Sequence, residues 1–95
     1  MHVRVVRFTD VSAERVDALV AQIQQADGPP AGVPTTGLKL LFDEAQGTAV
    51  VLQYFDTADD MTEGARAFSA MGPGETPGTR VSVDMCEMKL ERHVP

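Results

Sequence analysis

A tyrosine and a histidine are the side chains in this sequence best suited to proton transfer. Tyr54 is the only tyrosine, and its hydroxyl needs a hydrogen-bond partner wherever the ring is buried. His2 titrates near physiological pH and could act as an acid or a base. Each also has a simpler interpretation, namely a tyrosine ring packed between subunits and a solvated histidine at the start of a strand. Both residues are therefore candidate catalytic groups.

A second set of candidates lies on strands predicted near the two ends of the chain. Side-chain alternation along the last strand places Arg80, Ser82 and Asp84 on one face. We expect this face to meet Arg4 across the sheet, where opposite charges on neighbouring strands attract. The contact is either a structural ion pair or the polar floor of a pocket. On the second interpretation Arg4 and Asp84 bind a ligand.

The sulfur and imidazole groups do not form a metal site by their spacing. Cys86 is the only cysteine, and its separation from the two histidines matches no metal-binding pattern. Asp84 and Glu87 are close to Cys86 in sequence, and nearby carboxylates disfavour the thiolate that a nucleophile needs. We therefore expect no metal, no cofactor and no cysteine-based catalysis.

The composition describes an acidic globular chain. It has 95 residues, of which 43% are hydrophobic, with 8 basic and 14 acidic residues and a net charge of −6. This size predicts a single domain over residues 1–95. The negative charge argues against nucleic acid or an anionic membrane as a partner. With one cysteine and no apolar run at the amino terminus, we expect a cytoplasmic protein without a signal peptide or membrane span.

Apolar periodicity predicts six elements in the order β-α-β-β-α-β. The segments with the β-branched, alternating character of strands are Val3–Thr9, Leu38–Phe42, Thr48–Phe55 and Thr79–Leu90. A helix over Ala13–Ala26 follows a cap at Asp10 or Ser12. A second helix follows a capping-box-like start at Thr57. This order predicts an α+β fold with a four-stranded antiparallel sheet and two helices on one face.

Two irregular segments interrupt this regular pattern. Residues 27–37 contain three prolines and three glycines, a composition typical of a loop that forms the wall or lid of a pocket. In the last strand the apolar phase slips by one residue after Met85. Such a slip in a period of two predicts a β-bulge near Met85–Cys86.

Several predicted strands are apolar on both faces. Thr48–Phe55 is the clearest case, because only Gln53 interrupts its apolar residues. Helices on one side of the sheet leave the other apolar face exposed to water. In a chain of this length we expect a second copy of the same chain to cover that face, and so we predict a homodimer.

The layout resembles a known family. The segment Gly37-Leu-Lys-Leu-Leu-Phe-Asp43, the turn at Gly47 and the run Tyr54-Phe55-Asp56-Thr57 look like the dimeric α/β-barrel proteins related to antibiotic-biosynthesis monooxygenases. The resemblance implies a ferredoxin-like βαββαβ subunit whose sheet packs face to face with that of a second subunit. An aromatic and then an acidic residue commonly closes the third strand in that family. Phe55-Asp56 has this place here, which makes Phe55 a candidate ligand contact.

Three hypotheses for function follow from this resemblance. The protein binds a small hydrophobic molecule between sheet and helices, or it is a cofactor-independent monooxygenase-like enzyme acting on an aromatic or polyketide-like substrate. The third hypothesis is a non-enzymatic ligand-sensing or structural dimer module. The oxygenase hypothesis requires Tyr54 or His2 to line a pocket. Haem degradation is not expected, since the chain has neither the Trp nor the Asn of the Asn/Trp/His set in haem-degrading relatives.

Overall fold

The structure is a computed structural model that describes residues 1–26, 28, 33–70 and 76–95. Its strands are β1 (His2–Thr9), β2 (Gly37–Asp43), β3 (Thr48–Phe55) and β4 (Thr79–Glu87), and its helices are α1 (Ala13–Gln25) and α2 (Ala58–Ser69). The order of elements is the predicted one. Neither described helix has the length and apolar character that crossing a membrane requires.

The four strands form one antiparallel sheet in the order β2-β3-β1-β4. At its centre, Val6 of β1 lies opposite Val51 of β3 and Val83 of β4. Both helices pack on the same side of the sheet. Val16 of α1 belongs to a buried cluster with Val6, and α2 buries a methionine against the β3 residue Phe55. The predicted α+β architecture is therefore confirmed.

Side-chain caps begin both helices. The Ser12 hydroxyl accepts a hydrogen bond from the backbone N–H of Arg15 at 3.2 Å, so Ser12 is the cap of α1 rather than Asp10. The Thr57 hydroxyl accepts from the backbone N–H of Asp60 at 3.1 Å and caps α2. Each cap satisfies one amide of a first helical turn that has no partner within the helix.

The second helix approaches the sheet closely at a glycine. Gly64 lies over the ring of Phe55, which is completely buried at 0% exposure. A Cβ atom at residue 64 would lie 2.5 Å from Cε1 of Phe55, well inside the contact distance of two carbon atoms. The close approach accounts for a glycine inside α2, where it costs about 0.5–1 kcal/mol in helix propensity.

The β-bulge lies nearer the start of β4 than predicted. Arg7 is opposite Ser82 while Phe8 is opposite Arg80, which leaves Val81 as the extra residue. The prediction of a bulge near Met85–Cys86 was wrong. The apolar slip there falls at the end of an edge strand, where Met85 is 44% exposed. On an exposed edge strand, the positions of apolar residues do not indicate which face of the strand is buried.

The sheet face opposite the helices is here called the open face. Alternation along the paired strands gives it the apolar side chains of Val3, Val5, Leu41, Val50, Leu52, Tyr54 and Cys86. Of these side chains Leu41 is exposed, at 52%, Val3 is buried and the other five are half-buried. An antiparallel sheet that faces water normally alternates to polar residues on that side. The open face instead combines this apolar set with polar side chains such as Arg7, Lys39 and Asp84.

Candidate ligand-binding cleft

A cleft of about 650 Å³ lies between the sheet and the two helices. The sheet contributes the side chains of Arg4, Val6, Phe8, Leu38, Leu40, Val51, Gln53 and Arg80. The helices contribute Leu19, Gln22, Ile23, Ala67 and Phe68. The described lining is thus mainly aliphatic and aromatic, with a small number of polar groups.

The cleft exists because α1 packs against the sheet mainly through its first half. Val16 is buried against the sheet residues Val6 and Phe8. Farther along the same stripe, Leu19 and Ile23 line the cleft, and Ile23 is 39% exposed. The apolar stripe predicted for this helix therefore has two roles. Its start closes the core, and its end provides an apolar wall.

The segment before β2 forms another wall, as its composition predicted. Val33 is buried against Phe55, and the hydroxyl of Thr35 donates a 2.8 Å hydrogen bond to the carbonyl oxygen of Tyr54. The backbone N–H of Thr36 donates to the same carbonyl oxygen at 2.8 Å. Val33, Thr35 and Thr36 all line the cleft. The rest of this predicted loop, residues 27 and 29–32, lies outside the described residues.

Two buried polar side chains lie on the floor of the cleft. Arg4 and Gln53 face each other on the central strands β1 and β3, and they are only 3% and 5% exposed. Nη1 of Arg4 donates a 2.8 Å hydrogen bond to Oε1 of Gln53. Nε of Arg4 is buried and has no hydrogen-bond partner among the described residues. A buried guanidinium with an unused donor is costly, since polar groups lose hydration on burial.

None of the described residues that line the cleft neutralises the charge of Arg4. Its Cζ lies 5.5 Å from the centre of the Phe68 ring, a favourable cation–π contact. Burial lowers the pKa of the Arg4 guanidinium, and the positive charge of Arg80 lowers that pKa further. No aspartate or glutamate is among the described residues that line the cleft. The floor is therefore a desolvated positive centre.

The two candidate catalytic residues lie away from this centre. Tyr54 is opposite Val3 and Gly37 and belongs to the open face, where Lys39 Nζ lies 5.5 Å from its ring centre. His2 is half-buried at the start of β1, opposite Phe55. Neither residue is among those that line the cleft. The structure thus does not bring either side chain to the place that the oxygenase hypothesis requires.

Of the three candidate ligand-binding residues, only Arg4 lines the cleft. Asp84 is opposite Val5 and exposed on the open face, so the expected contact with Arg4 across the sheet was wrong. The register explains the error, because it sets Asp84 opposite Val5 and Ser82 opposite Arg7, on the face away from Arg4, while the bulge at Val81 turns Arg80 to the helix side. Phe55 is fully buried in the core under α2.

Sequence reasoning missed Gln53 as a cleft residue. A signal for Gln53 was present, since it is the one polar interruption in the apolar run of β3. Its meaning depends on the register that sets it opposite Arg4. Arg80 was expected beside Arg4 together with Ser82 and Asp84, and of these three only Arg80 lines the cleft. Among the described residues, no group of three or more His, Cys, Asp or Glu side chains could hold a metal ion.

Comparisons with known proteins bear on the fold. No family model and no curated protein matches the chain. Among solved structures, the crystal structure of a MhuD mutant with two manganese protoporphyrin IX molecules bound per active site is similar, with a TM-score of 0.61 and 14% sequence identity. The match covers 99% of this chain and 100% of that one. The ferredoxin-like βαββαβ fold that the sequence resemblance implied is thereby confirmed for this chain.

Proposed function

We propose that this protein binds a small, largely apolar molecule in the cleft between its sheet and its two helices. The observation that carries the proposal is a cleft of about 650 Å³ with an apolar lining in a chain of 95 residues. Small-molecule sites commonly measure about 300–1,000 Å³ and combine apolar walls with a few placed polar groups. A purely structural module would fill this space with side chains. The cleft therefore favours binding over a structural role.

The monooxygenase hypothesis has less support. It depended on Tyr54 or His2 lining the cleft, and neither does so. The polar groups that the described lining does supply are guanidinium, amide and threonine hydroxyl groups. These groups bind and orient a ligand, but none of them titrates near neutral pH to exchange a proton with it. We therefore propose binding without a catalytic step.

The MhuD structure suggests protoporphyrin as an occupant to consider. That structure has two manganese protoporphyrin IX molecules per active site. The side chains that hold haem iron in proteins are histidine, cysteine, methionine and tyrosine. None of these is among the described residues that line the cleft of this chain. The described donors do not fit a metalloporphyrin, and we do not propose one as the ligand.

Filling the cleft with a large side chain should abolish ligand binding. Ala67 is half-buried on α2 and lines the cleft, so an indole ring at this position would occupy the ligand volume. We expect the neutral apolar dye N-phenylnaphthylamine to bind the wild type saturably, with one site per chain and a rise in fluorescence. Ala67→Trp should weaken this binding by about tenfold or more, which corresponds to about 1.4 kcal/mol.

A control substitution outside the cleft distinguishes filling of the cleft from a general effect of adding a large side chain. Ala21 is exposed on α1 and is not among the cleft residues. Ala21→Trp adds the same side chain away from the cleft, and the dye should bind this variant as it binds the wild type. Absence of saturable dye binding to the wild type would overturn the proposal. An equal loss of dye affinity in Ala67→Trp and Ala21→Trp would also overturn the proposal, since the dye would then bind outside the cleft.

We also propose that the open face is the interface of a homodimer. Apolar side chains occupy the middle of this face on β1 and β3, and Leu41 extends it to the β2 edge with 52% exposure. An apolar area of this kind on a small protein marks an interaction surface. A second copy of the chain is the partner that suits this face, because one face-to-face contact then buries the apolar residues of both copies.

A further inference from the structure

We propose that the ligand of the cleft is an amphipathic acid, whose carboxylate binds Nε of Arg4 while its apolar body fills the space between the helices. This inference rests on the proposed binding function and adds the chemical class of the ligand. It follows from the unused donor, from the charge balance of the cleft and from the way the guanidinium is held.

The first argument is the unused donor. Arg4 is 97% buried, because only 3% of its surface is exposed, and it lines the cleft. Its Nε–H has no partner among the described residues. Nearly all buried polar groups in folded proteins have a hydrogen-bond partner. The guanidinium of Arg4 is therefore a cleft-lining group whose hydrogen bonding is incomplete, and a ligand acceptor in the cleft would complete it.

The second argument is the charge balance. Arg4 and Arg80 both line the cleft, and none of the described lining residues is acidic. Since the two guanidiniums repel each other, each makes the other harder to accommodate. A buried charge is stabilised by an opposite charge that also accepts its hydrogen bonds. The described part of the chain leaves that negative charge to the ligand, although the protein as a whole carries −6.

The third argument is the orientation of the guanidinium. Gln53 accepts from Nη1 at 2.8 Å on one side, and the ring of Phe68 lies 5.5 Å from Cζ. These contacts hold the guanidinium in place on the cleft floor, and neither of them uses its Nε–H. A planar fork of N–H donors matches the two oxygens of a carboxylate.

A carboxylate fits this site better than a phosphate group. A phosphate presents three acceptor oxygens and close to two negative charges, and it needs donors on several sides. The described lining offers one buried guanidinium, that of Arg4, since Arg80 is exposed, and most of the remaining lining is apolar. An acid with an aliphatic or aromatic body satisfies both the donor and the apolar walls.

Competition against the dye tests this inference separately from the proposed function. Decanoate and decanol have equally long apolar chains and differ in charge at neutral pH. Each is titrated against bound N-phenylnaphthylamine in the wild type and in Arg4→Met, which keeps an unbranched side chain and removes the charge. The control is Arg7→Met, because Arg7 is exposed on the same strand and points away from the cleft. Thermal unfolding of each variant establishes that it is folded.

We expect decanoate to bind the wild type and Arg7→Met equally well. Arg4→Met should weaken decanoate binding by about tenfold or more, as the loss of a charge-assisted hydrogen bond requires, and should leave decanol binding within about twofold. Equal affinity of decanoate for the wild type and Arg4→Met would overturn the inference while the dye still reports a functional cleft. An unfolded Arg4→Met is replaced by Arg4→Lys, which keeps the charge without the fork and should also weaken decanoate binding. Failure of the dye itself to bind would instead overturn the proposed function.

Discussion

Gln53→Leu should destabilise the protein, and adding Arg4→Met to it should more than reverse the loss. Gln53 provides the described hydrogen bond to Arg4 at 2.8 Å. Removing a partner of a buried charged group costs about 1.5–3 kcal/mol, so we expect the free energy of unfolding to fall by about 2 kcal/mol in the single variant. Urea unfolding of the wild type and both variants measures the differences.

The double variant Arg4→Met/Gln53→Leu replaces both buried polar groups by apolar ones of similar length. Such replacements of buried charged groups are often neutral or stabilising by about 1–4 kcal/mol. We expect the double variant to be about 1–3 kcal/mol more stable than the wild type, because the desolvation cost of Arg4 disappears. A double variant less stable than Gln53→Leu alone would contradict this account. It would mean that the pair is kept for stability rather than for a ligand.

Leu52→Asp should convert a homodimer into a monomer. Leu52 is at the middle of the open face, between Val5 and Lys39 on the neighbouring strands. In the monomer the new carboxylate is solvated and opposite the charge of Lys39. In a face-to-face dimer it would be buried against an apolar surface, which costs several kcal/mol for each chain. We expect the dimer dissociation constant to rise by at least about 100-fold, measured by sedimentation equilibrium at micromolar protein.

Ala21→Asp is the control for this experiment, since Ala21 is exposed on α1. It adds the same charge on the helix side of the molecule, and the dimer should persist in this variant. A wild type that sediments as a single chain would contradict the homodimer. An intact dimer of Leu52→Asp would show that the interface is not the open face.

The sequence predicted the fold well because its signals were local. β3 was predicted with its observed bounds, Thr48–Phe55, since an almost continuous apolar run between turn residues has few alternatives. The cap at Thr57 was predicted for the same reason, and Ser12 was one of two residues predicted to cap α1, as each cap depends on an amide three residues away. The fold class followed from the element pattern together with the family resemblance.

The cleft was predicted only in part because it depends on register and packing distance. Arg4 was a candidate from its place in the first strand, but its partner was expected to be Asp84 rather than Gln53. One extra residue at Val81 separated the face of Arg80 from that of Ser82 and Asp84, and no local pattern marks which residue a bulge adds. The separation of α1 from the sheet at Ile23 is likewise a tertiary property. Amphipathic spacing predicts which side of a helix is apolar and not how closely it packs.

The hydrogen bonding of the Arg4 Nε–H group tests the proposed binding of a carboxylate most directly. A proton–nitrogen correlation NMR spectrum resolves the Nε–H groups of arginine side chains, and the signal that disappears in Arg4→Lys is that of Arg4. On addition of decanoate we predict a saturable downfield shift of this signal, as expected for a new hydrogen bond to a carboxylate, with the Arg7 signal unchanged. An Arg4 signal that stays in place while decanoate displaces the dye would contradict the account.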